Sequence, residues 1–512
     1  MGPRRILFVA ALLGGLYFLA DPTAADQPTS GTPGDKALVT DGHVFHDAGD
    51  LHNHVTNWGL IGSRPTQPTS FNLAPSARWG GVDYLWSAGV WVGGTVLGET
   101  LVSTGQYASE IMASEAPGDT IFATAQGAAG GTRYPWNGAD DDGDGAEDED
   151  PLDGLDNDGD GLVDEDFAAC GDQQFRCAMR DDTPLAVDIY PDHVPLNLAI
   201  VQESYQWSDP LAREFIGYEY QVTNDGVVAI DGVHLGLFAD FDILASDDDL
   251  VGSWVGLVEA SNGASYPVSV GYAMDGALGG GAPGYAGFVL CGIETDAAAG
   301  AGPEPWAMHS FNRFSGNVSF EQGGDPTNDS ERYQLLHEEG RDPDPQPQQT
   351  ADYRFLVSTP EIPSLAPGET VIFRFALVVG ADLDDLLTHA GEAVATAQGA
   401  WFDRDGDPAN GEEFHVPWLR PEDVPVPAVG GRLQASPRQG GVSLAFDVRN
   451  LAGAGAVIDR HASSGVPART WPVDVAVGNI VDDDAVGWPR TYDLVVKSAG
   501  SEDLVLDTVV AE

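Results

Sequence analysis

EFIGYEYQVTNDGVVAIDGVHLGLFADFDI, residues 214–243, contains two runs of period two. Ile216, Tyr218, Tyr220 and Val222 fall on one side of an extended chain. Asn224, Asp225 and Gly226 supply turn residues, and Val233, Leu235, Leu237, Ala239 and Phe241 share a side of the next run. Side chains alternate across a strand, so each run predicts a strand with one apolar face against a core. LAPGETVIFRFALVVG, residues 365–380, repeats the pattern: after a Pro-Gly turn, Val371, Phe373, Phe375, Leu377 and Val379 lie on one face. Upstream, WGGVDYLWSAGVWVGGTVLGETLVS, residues 79–103, alternates short aromatic and β-branched runs with glycine pairs, the pattern of hairpins.

These strands resemble those of immunoglobulin-like sandwiches. One stretch breaks the pattern. From Asp382 to Phe402 the period becomes helical, with Asp382 as cap and Leu383, Leu386, Leu387, Ala390 and Val394 as the stripe. The expected fold is therefore mostly β: immunoglobulin-like sandwich domains with an inserted acidic repeat loop, taken up below, and one helix near 382–402.

Composition agrees. The 512 residues include 64 Gly and 34 Pro, which favours strands joined by many turns over a helical bundle. With 80 acidic and 23 basic side chains the formal charge is -57, which excludes nucleic-acid binding. Only Lys36 and Lys497 are lysines. Such a surface suits salt adaptation or a calcium-rich or acidic extracellular setting.

Arg4 and Arg5 precede an uncharged run from Ile6 to Ala20, and Thr23-Ala24-Ala25 supplies small residues for a signal peptidase. This predicts an export signal cut after Ala25. Later stretches are too short for a membrane helix, so the mature chain is expected to be secreted or surface-attached, without a transmembrane segment.

The motif with the sharpest chemistry is a tandem repeat. GADDDGDGAEDEDPLD (138–153) and GLDNDGDGLVDEDFAA (154–169) are identical at nine of 16 positions. Aspartates occupy loop positions 1, 3, 5 and 9: Asp140, Asp142, Asp144 and Asp148, then Asp156, Asp158, Asp160 and Asp164. Gly145 and Gly161 permit the sharp turn, and the carbonyls of Ala146 and Leu162 fall at position 7. Alternating carboxylates on a tight loop aim several oxygens at one centre, which suits calcium, a hard cation with six to eight oxygen ligands. Position 12 holds Pro151 or Phe167 instead of the bidentate glutamate of an EF-hand. Glu149, Asp150, Asp153, Glu165 and Asp166 are available to complete the ligand sets. Fifteen carboxylates within residues 140–166 repel one another without metal, so calcium is expected to compact the segment and stabilise it structurally.

Residues 137–167 resemble the calcium repeats of thrombospondin type 3 and the short DxDxDG repeats of secreted bacterial proteins. Together with NWGLIGS (57–63), AGVWVGG (88–94), REFIGYEYQVTNDG (213–226), LGLFADFDI (235–243) and residues 352–380, they resemble a group of secreted bacterial β-rich proteins. Many of that group end in a type IX-like sorting domain. The resemblance implies a secreted β-rich body and no particular activity.

Cys170 and Cys177 are close enough in CGDQQFRC for a loop disulfide in an oxidising compartment, and Cys291 has no evident partner. Asp240 and Asp242 lie at i, i+2 with His234 on the same face, an arrangement open to a carboxylate-pair hydrolase, a metal, or a calcium site shared with Asp247, Asp248 and Asp249. His43, His46, His52 and His54 raise a zinc or copper site, against which the Gly/Asp-rich surroundings favour an exposed polar segment. Asp403, Asp405 and Asp407 form one further DxDxD string. No GxSxG elbow, HExxH, P-loop or dinucleotide fingerprint is present.

The expected organisation is a signal peptide (1–25), a polar segment (26–57), an N-terminal β region (58–136), the calcium repeat (137–167), a main sandwich body (168–402), an acidic, Pro-rich linker (403–430) and a small β domain (431–512). The function this implies is a secreted calcium-binding structural, adhesive or cell-surface protein without catalytic activity. Its partners would be calcium ions and a surface polymer, polysaccharide or envelope protein. The alternative is a polysaccharide-binding or polysaccharide-degrading protein, a glycoside hydrolase or lyase.

Overall fold

The computed structural model describes residues 43–62, 75–123, 171–419 and 430–511, with short interruptions inside these ranges. In chain order the first strands are β1 (His43–His46), β2 (Asn53–Thr56), β3 (Arg78–Trp79), β4 (Val82–Asp83), β5 (Leu85–Val96), β6 (Glu99–Thr104), β7 (Phe122–Ala123) and β8 (Gln173–Arg180). Helix α1 (Pro184–Ile189) precedes β9 (Leu198–Gln206), β10 (Phe215–Asn224), β11 (Ile230–Phe241), β12 (Asp249–Glu259), β13 (Ser265–Asp275), β14 (Tyr285–Thr295) and β15 (Ser310–Ser315). Then come α2 (Asp329–His337), β16 (Gly340–Arg341), β17 (Tyr353–Ser358), β18 (Ile362–Leu365), β19 (Thr370–Gly380), α3 (Leu383–Gln398), β20 (Ala400–Asp403) and β21 (Glu413–Val416).

The body is mostly β and is built as a sandwich. One sheet has eight strands in the order β12-β13-β14-β19-β10-β9-β8-β7; the other has seven, β16-β15-β17-β11-β5-β6, with β18 also on β11. The faces predicted from period two are the ones that meet. Ile216, Tyr218, Tyr220 and Val222 of β10, Val233 to Phe241 of β11 on alternate positions, and Val371 to Val379 of β19 likewise all belong to one core cluster. Phe241 bridges the two sheets, its ring 6.0 Å from Phe288 and 5.8 Å from Phe355.

The turn at Asn224-Asp225-Gly226 joins strands of different sheets, so it is an arch and not a hairpin. Asn224 Nδ2 donates to the carbonyls of Val228 and Leu365, and its Oδ1 accepts from the Gly226 N–H at 3.0 Å. Upstream, the pair Gly80-Gly81 makes a hairpin, whereas Gly93-Gly94 lies inside β5 and the next hairpin turns at Leu97-Gly98. At Gly80-Gly81 and at Leu97-Gly98 both central residues have positive φ (57° and 87°, 52° and 88°), the backbone that a two-residue turn needs to follow strand twist.

Each outer sheet face carries one helix. Predicted over 382–402, α3 runs Leu383–Gln398, and Asp382 Oδ1 caps it by accepting from the Asp385 N–H at 3.0 Å. Its stripe, with Leu386, Leu387, Ala390 and Val394, packs on Ala376 and Val378 from the outer side of the eight-stranded sheet. The chain past Gly399 turns back as β20 and β21, and Trp418 then joins this layer, stacked 5.3 Å from Tyr205. A side chain at Gly217 would meet the Trp418 ring at 2.3 Å.

Two further helices exist, α1 and α2, where one was expected. Strands from residues 58–136 and 168–402 pair in the same two sheets, β5 with β11 and β7 with β8. Trp418 and Leu419, placed in a linker by their proline-rich setting, are buried in the α3 layer.

The C-terminal segment holds a three-stranded sheet, β22 (Gly430–Arg438), β23 (Gly441–Arg449) and β26 (Val477–Asp482). A four-stranded sheet is made by β24 (Gly455–Arg460), β25 (Arg469–Val473), β27 (Arg490–Lys497) and β28 (Leu504–Ala511).

Candidate functional site

The even positions of β11, His234, Gly236, Phe238 and Asp240, face away from the core toward α2. Leu336 of α2 sits over the strand because Gly236 and Gly93 leave room: a Cβ at either would stand 2.3 or 2.7 Å from a Leu336 methyl. Trp91, Phe238 and Phe314 extend this apolar patch, with Trp91 stacked on Phe238 at 5.4 Å and 5°. Tertiary packing positions α2 more than its sequence does, since Leu336 is its one buried residue.

Beyond the patch lies a carboxylate cluster. Carboxylate oxygens of Asp240, Asp242 and Asp352 all lie within 4.8 Å of one another. Arg354, the cross-strand neighbour of Asp240, donates from Nε to Asp240 Oδ2 at 2.8 Å; its other nitrogens approach Asp325 at 3.3 Å and Asp352 at 3.5 Å. Three carboxylates thus share one guanidinium, with Asp242 beside them. Burial pushes the Asp240 carboxyl up to about 7 against the opposing pull of Arg354, and burial followed by Asp352 pushes Asp242 up to about 6.

A cavity of about 240 Å³ adjoins the cluster, lined by Trp91, Phe238, Phe314, Asp325, Arg332 and Arg354 among others. Among the described residues, Trp91 Nε1, Gln106 Oε1 and Asp240 Oδ1 are buried polar atoms without a hydrogen-bond partner. Nearby, Asp249 is fully buried; its Oδ2 accepts from the Ile243 N–H at 3.2 Å, and burial pushes its carboxyl up to about 9.

His234 does not join this cluster, although it shares the face. It lies six residues back along β11 beside His337, His309 and Glu361. The grouping of Asp240, Asp242 and His234 expected from spacing therefore divides in two. Arg354, Asp352 and Asp325 were missed because only strand pairing brings them in.

The predicted calcium ligands, Asp140, Asp142, Asp144, Ala146, Asp148, Asp156, Asp158, Asp160, Leu162 and Asp164, lie outside the described residues, as do Asp405 and Asp407. What is described is their frame: β7 and β8 precede and follow the repeat in the chain and pair with each other, Phe122 with Arg176. Cys170 also lies outside the described residues. Cys177 is buried on β8, with Sγ 3.7 Å from the Thr56 carbonyl.

The histidine-rich stretch is not the exposed segment expected of it. His46 and His54 are fully buried, His46 Nε2 lying 2.8 Å from Ser204 Oγ and His54 Nδ1 3.1 Å from the Pro75 carbonyl. Burial drives the His46 pKa down to about 3. The Gly/Asp-rich composition hid this because β1 and β2 gain their cover from β9 and the 75–78 turn, both distant in sequence.

No protein-family model matches the chain, and no curated protein matches it. Among solved structures, a polysaccharide lyase aligns at 8% identity and a TM-score of 0.27 over 91% of this chain and 46% of its own. The chain thus spans under half the length of that structure, and a likeness this slight carries no argument. Among the described residues, no helix is long and apolar enough to cross a membrane.

Proposed function

We propose that the chain is a secreted calcium-binding protein of the cell surface or extracellular matrix, structural or adhesive in role and without catalytic activity. The observation that supports this reading is the placement of the acidic repeat between β7 and β8, two strands paired at the edge of the larger sheet. An excursion tied at both ends gains little by being long and highly charged unless something neutralises it, and calcium on the DxDxDG loops does so. At millimolar calcium, loops of about 0.1 to 1 mM affinity contribute on the order of 1 kcal/mol each. The repeat resembles those of thrombospondin type 3, for which the same structural use of calcium is the expectation.

The test is a calcium titration by calorimetry on the parent and on Asp142→Ala/Asp158→Ala. The parent should show calcium uptake and a calcium-dependent rise in Tm that the double variant loses, and EDTA should open residues 137–167 to protease before the sandwich. A parent without calcium uptake, or first cleavage elsewhere in EDTA, would overturn the reading.

The second reading, polysaccharide binding or cleavage, draws on the cavity beside Trp91 and Arg354 with its unpartnered buried polar atoms. Release of reducing or unsaturated ends from acidic polysaccharides, abolished by Arg354→Met, would favour it.

A further inference from the structure

We infer that His234, His337 and Glu361 form a binding site for a first-row divalent metal ion, of which zinc is the type, that pins the end of α2 to the seven-stranded sheet. Three separate elements supply the ligands: His234 comes from β11, His337 is the last residue of α2, and Glu361 lies between β17 and β18. One ligand atom from each lies within 4.8 Å of the others.

The tautomer of His234 is fixed by its surroundings. Its Nδ1 lies 2.9 Å from the Thr359 carbonyl, which can only accept, so Nδ1 carries the hydrogen and Nε2 offers the lone pair. This backbone anchor is the outer-shell contact that orients metal-binding histidines.

His234 Nε2 stands 3.1 Å from His337 Nδ1. Two nitrogens each about 2.0 to 2.1 Å from a tetrahedral zinc are about 3.3 Å apart, so the pair needs to open by only a few tenths of an ångström. His337 Nδ1 is in turn 3.9 Å from Glu361 Oε2.

The His337 ring is held in place. It stacks on Tyr333 at 5.4 Å, the Tyr333 hydroxyl donates to the Gly232 carbonyl at 2.7 Å, and His309 Nε2 donates to the His337 carbonyl at 2.9 Å. His309 is thus a positioning residue. His337 and Glu361 remain about half exposed, which gives an ion a path in and leaves a fourth coordination position to water. Two imidazoles and a carboxylate select zinc, copper, nickel or cobalt over calcium, which takes oxygen ligands. The site is therefore independent of the calcium reading.

The experiment is isothermal titration of the full chain with zinc in millimolar calcium, with cobalt(II) absorption as the second measurement. The parent should take up one zinc and show the visible bands of tetrahedral cobalt. His337→Ala and Glu361→Gln, both changes at exposed side chains, should each weaken zinc by at least about tenfold and abolish the cobalt bands. His52→Ala, in the histidine-rich N-terminal stretch, should change neither. If the parent takes up no zinc, or if both variants retain parental affinity, the His234–His337 contact is only a hydrogen bond and the proposal fails. Circular dichroism on each variant separates loss of ligand from loss of fold, and Glu361→Gln alone decides the matter if His337→Ala unfolds.

Discussion

The two outer faces of the sandwich are covered by one principal helix each and end in opposite states. On the eight-stranded sheet, the 16 residues of α3 lay a wide apolar stripe over β19, and Trp418 extends it across Gly217. Charges beyond the stripe are matched: Arg374, buried, bonds Glu219 at 2.6 Å and Glu294 at 3.0 Å. On the seven-stranded sheet, the nine residues of α2 bury Leu336 alone, and the face around it is left to ionisable groups. One side of Leu336 has three histidines and Glu361; the other has four aspartates around Arg354. The width of a covering stripe decides how much of a sheet is sealed, and chemistry collects where the cover stops.

The strongest test of the matched face is Arg374→Met, which leaves Glu219 and Glu294 buried without a cation. It should cost about 3 to 5 kcal/mol in denaturant unfolding, because breaking a buried pair strands a charge. A loss under about 1 kcal/mol would mean that face is wetter than its burial implies.

The helices themselves are compared by truncation. Leu386→Ala and Leu336→Ala each remove a fully buried leucine, with an expected cost of about 2 to 5 kcal/mol. The two should differ in extent: hydrogen exchange should rise only in α2 and its neighbours for Leu336→Ala, but across β14 and β19 for Leu386→Ala. Equal spread would erase the distinction between a sealing helix and a pinned one.

The uneven charge of the α2 side and its neighbour Asp249 should appear as a pH slope. A carboxyl raised by burial binds its proton more tightly folded than unfolded. Stability is then highest below the unfolded value of about 4 and declines as pH rises toward the folded value, about 7 for Asp240 and about 9 for Asp249. Below about pH 6.5 the buried neutral His46 pulls the other way, so without divalent ions the parent should lose Tm from about pH 6.5 to 9. Asp249→Asn keeps an acceptor for Ile243 and should flatten the upper part of that decline; an unchanged slope would show that Asp249 is already ionised.

The smallest effect concerns the start of α3. Asp382→Ala removes the cap on the Asp385 N–H and should cost about 1 kcal/mol, read as a shift in denaturation midpoint without a change in slope.

Where function of a residue depends on local period, the sequence was readable. The inward faces of β10, β11 and β19, the stripe of α3 and its cap all follow from spacing, because burial of one face imposes period two or 3.6 on the residues. Helix α2 was not readable, since a helix with one buried residue has scarcely any stripe. Nor was the metal triad: His234, His337 and Glu361 are far apart in the chain, and only the β11–β17 pairing and the docking of α2 assemble them. Asp240 was noticed for its neighbour Asp242, yet its strongest partner is Arg354 on another strand.

The arch at Asn224 has a kinetic consequence. Because it passes the chain between sheets instead of pairing β10 with β11, β11 must wait for a distant partner, Leu235 for Val92, and β10, paired with its neighbour β9 on one side, waits for β19 on the other, Tyr218 for Phe375. Local hairpins such as β5–β6, β9–β10 and β12–β13 can form early, but the larger sheet is incomplete until residue 380 is present, because β19 joins β14 to β10. Topologies dominated by such remote pairings assemble over milliseconds to seconds, because loop-closure entropy is lost before any contact rewards it. The same entropy grows only logarithmically with length, so the long acidic excursion between β7 and β8 adds little to the barrier. The repeat can therefore vary in length with small effect on assembly, whereas a defect in β19, the last strand of the core to emerge, would leave β12–β14 and β7–β10 as two unjoined parts of the larger sheet.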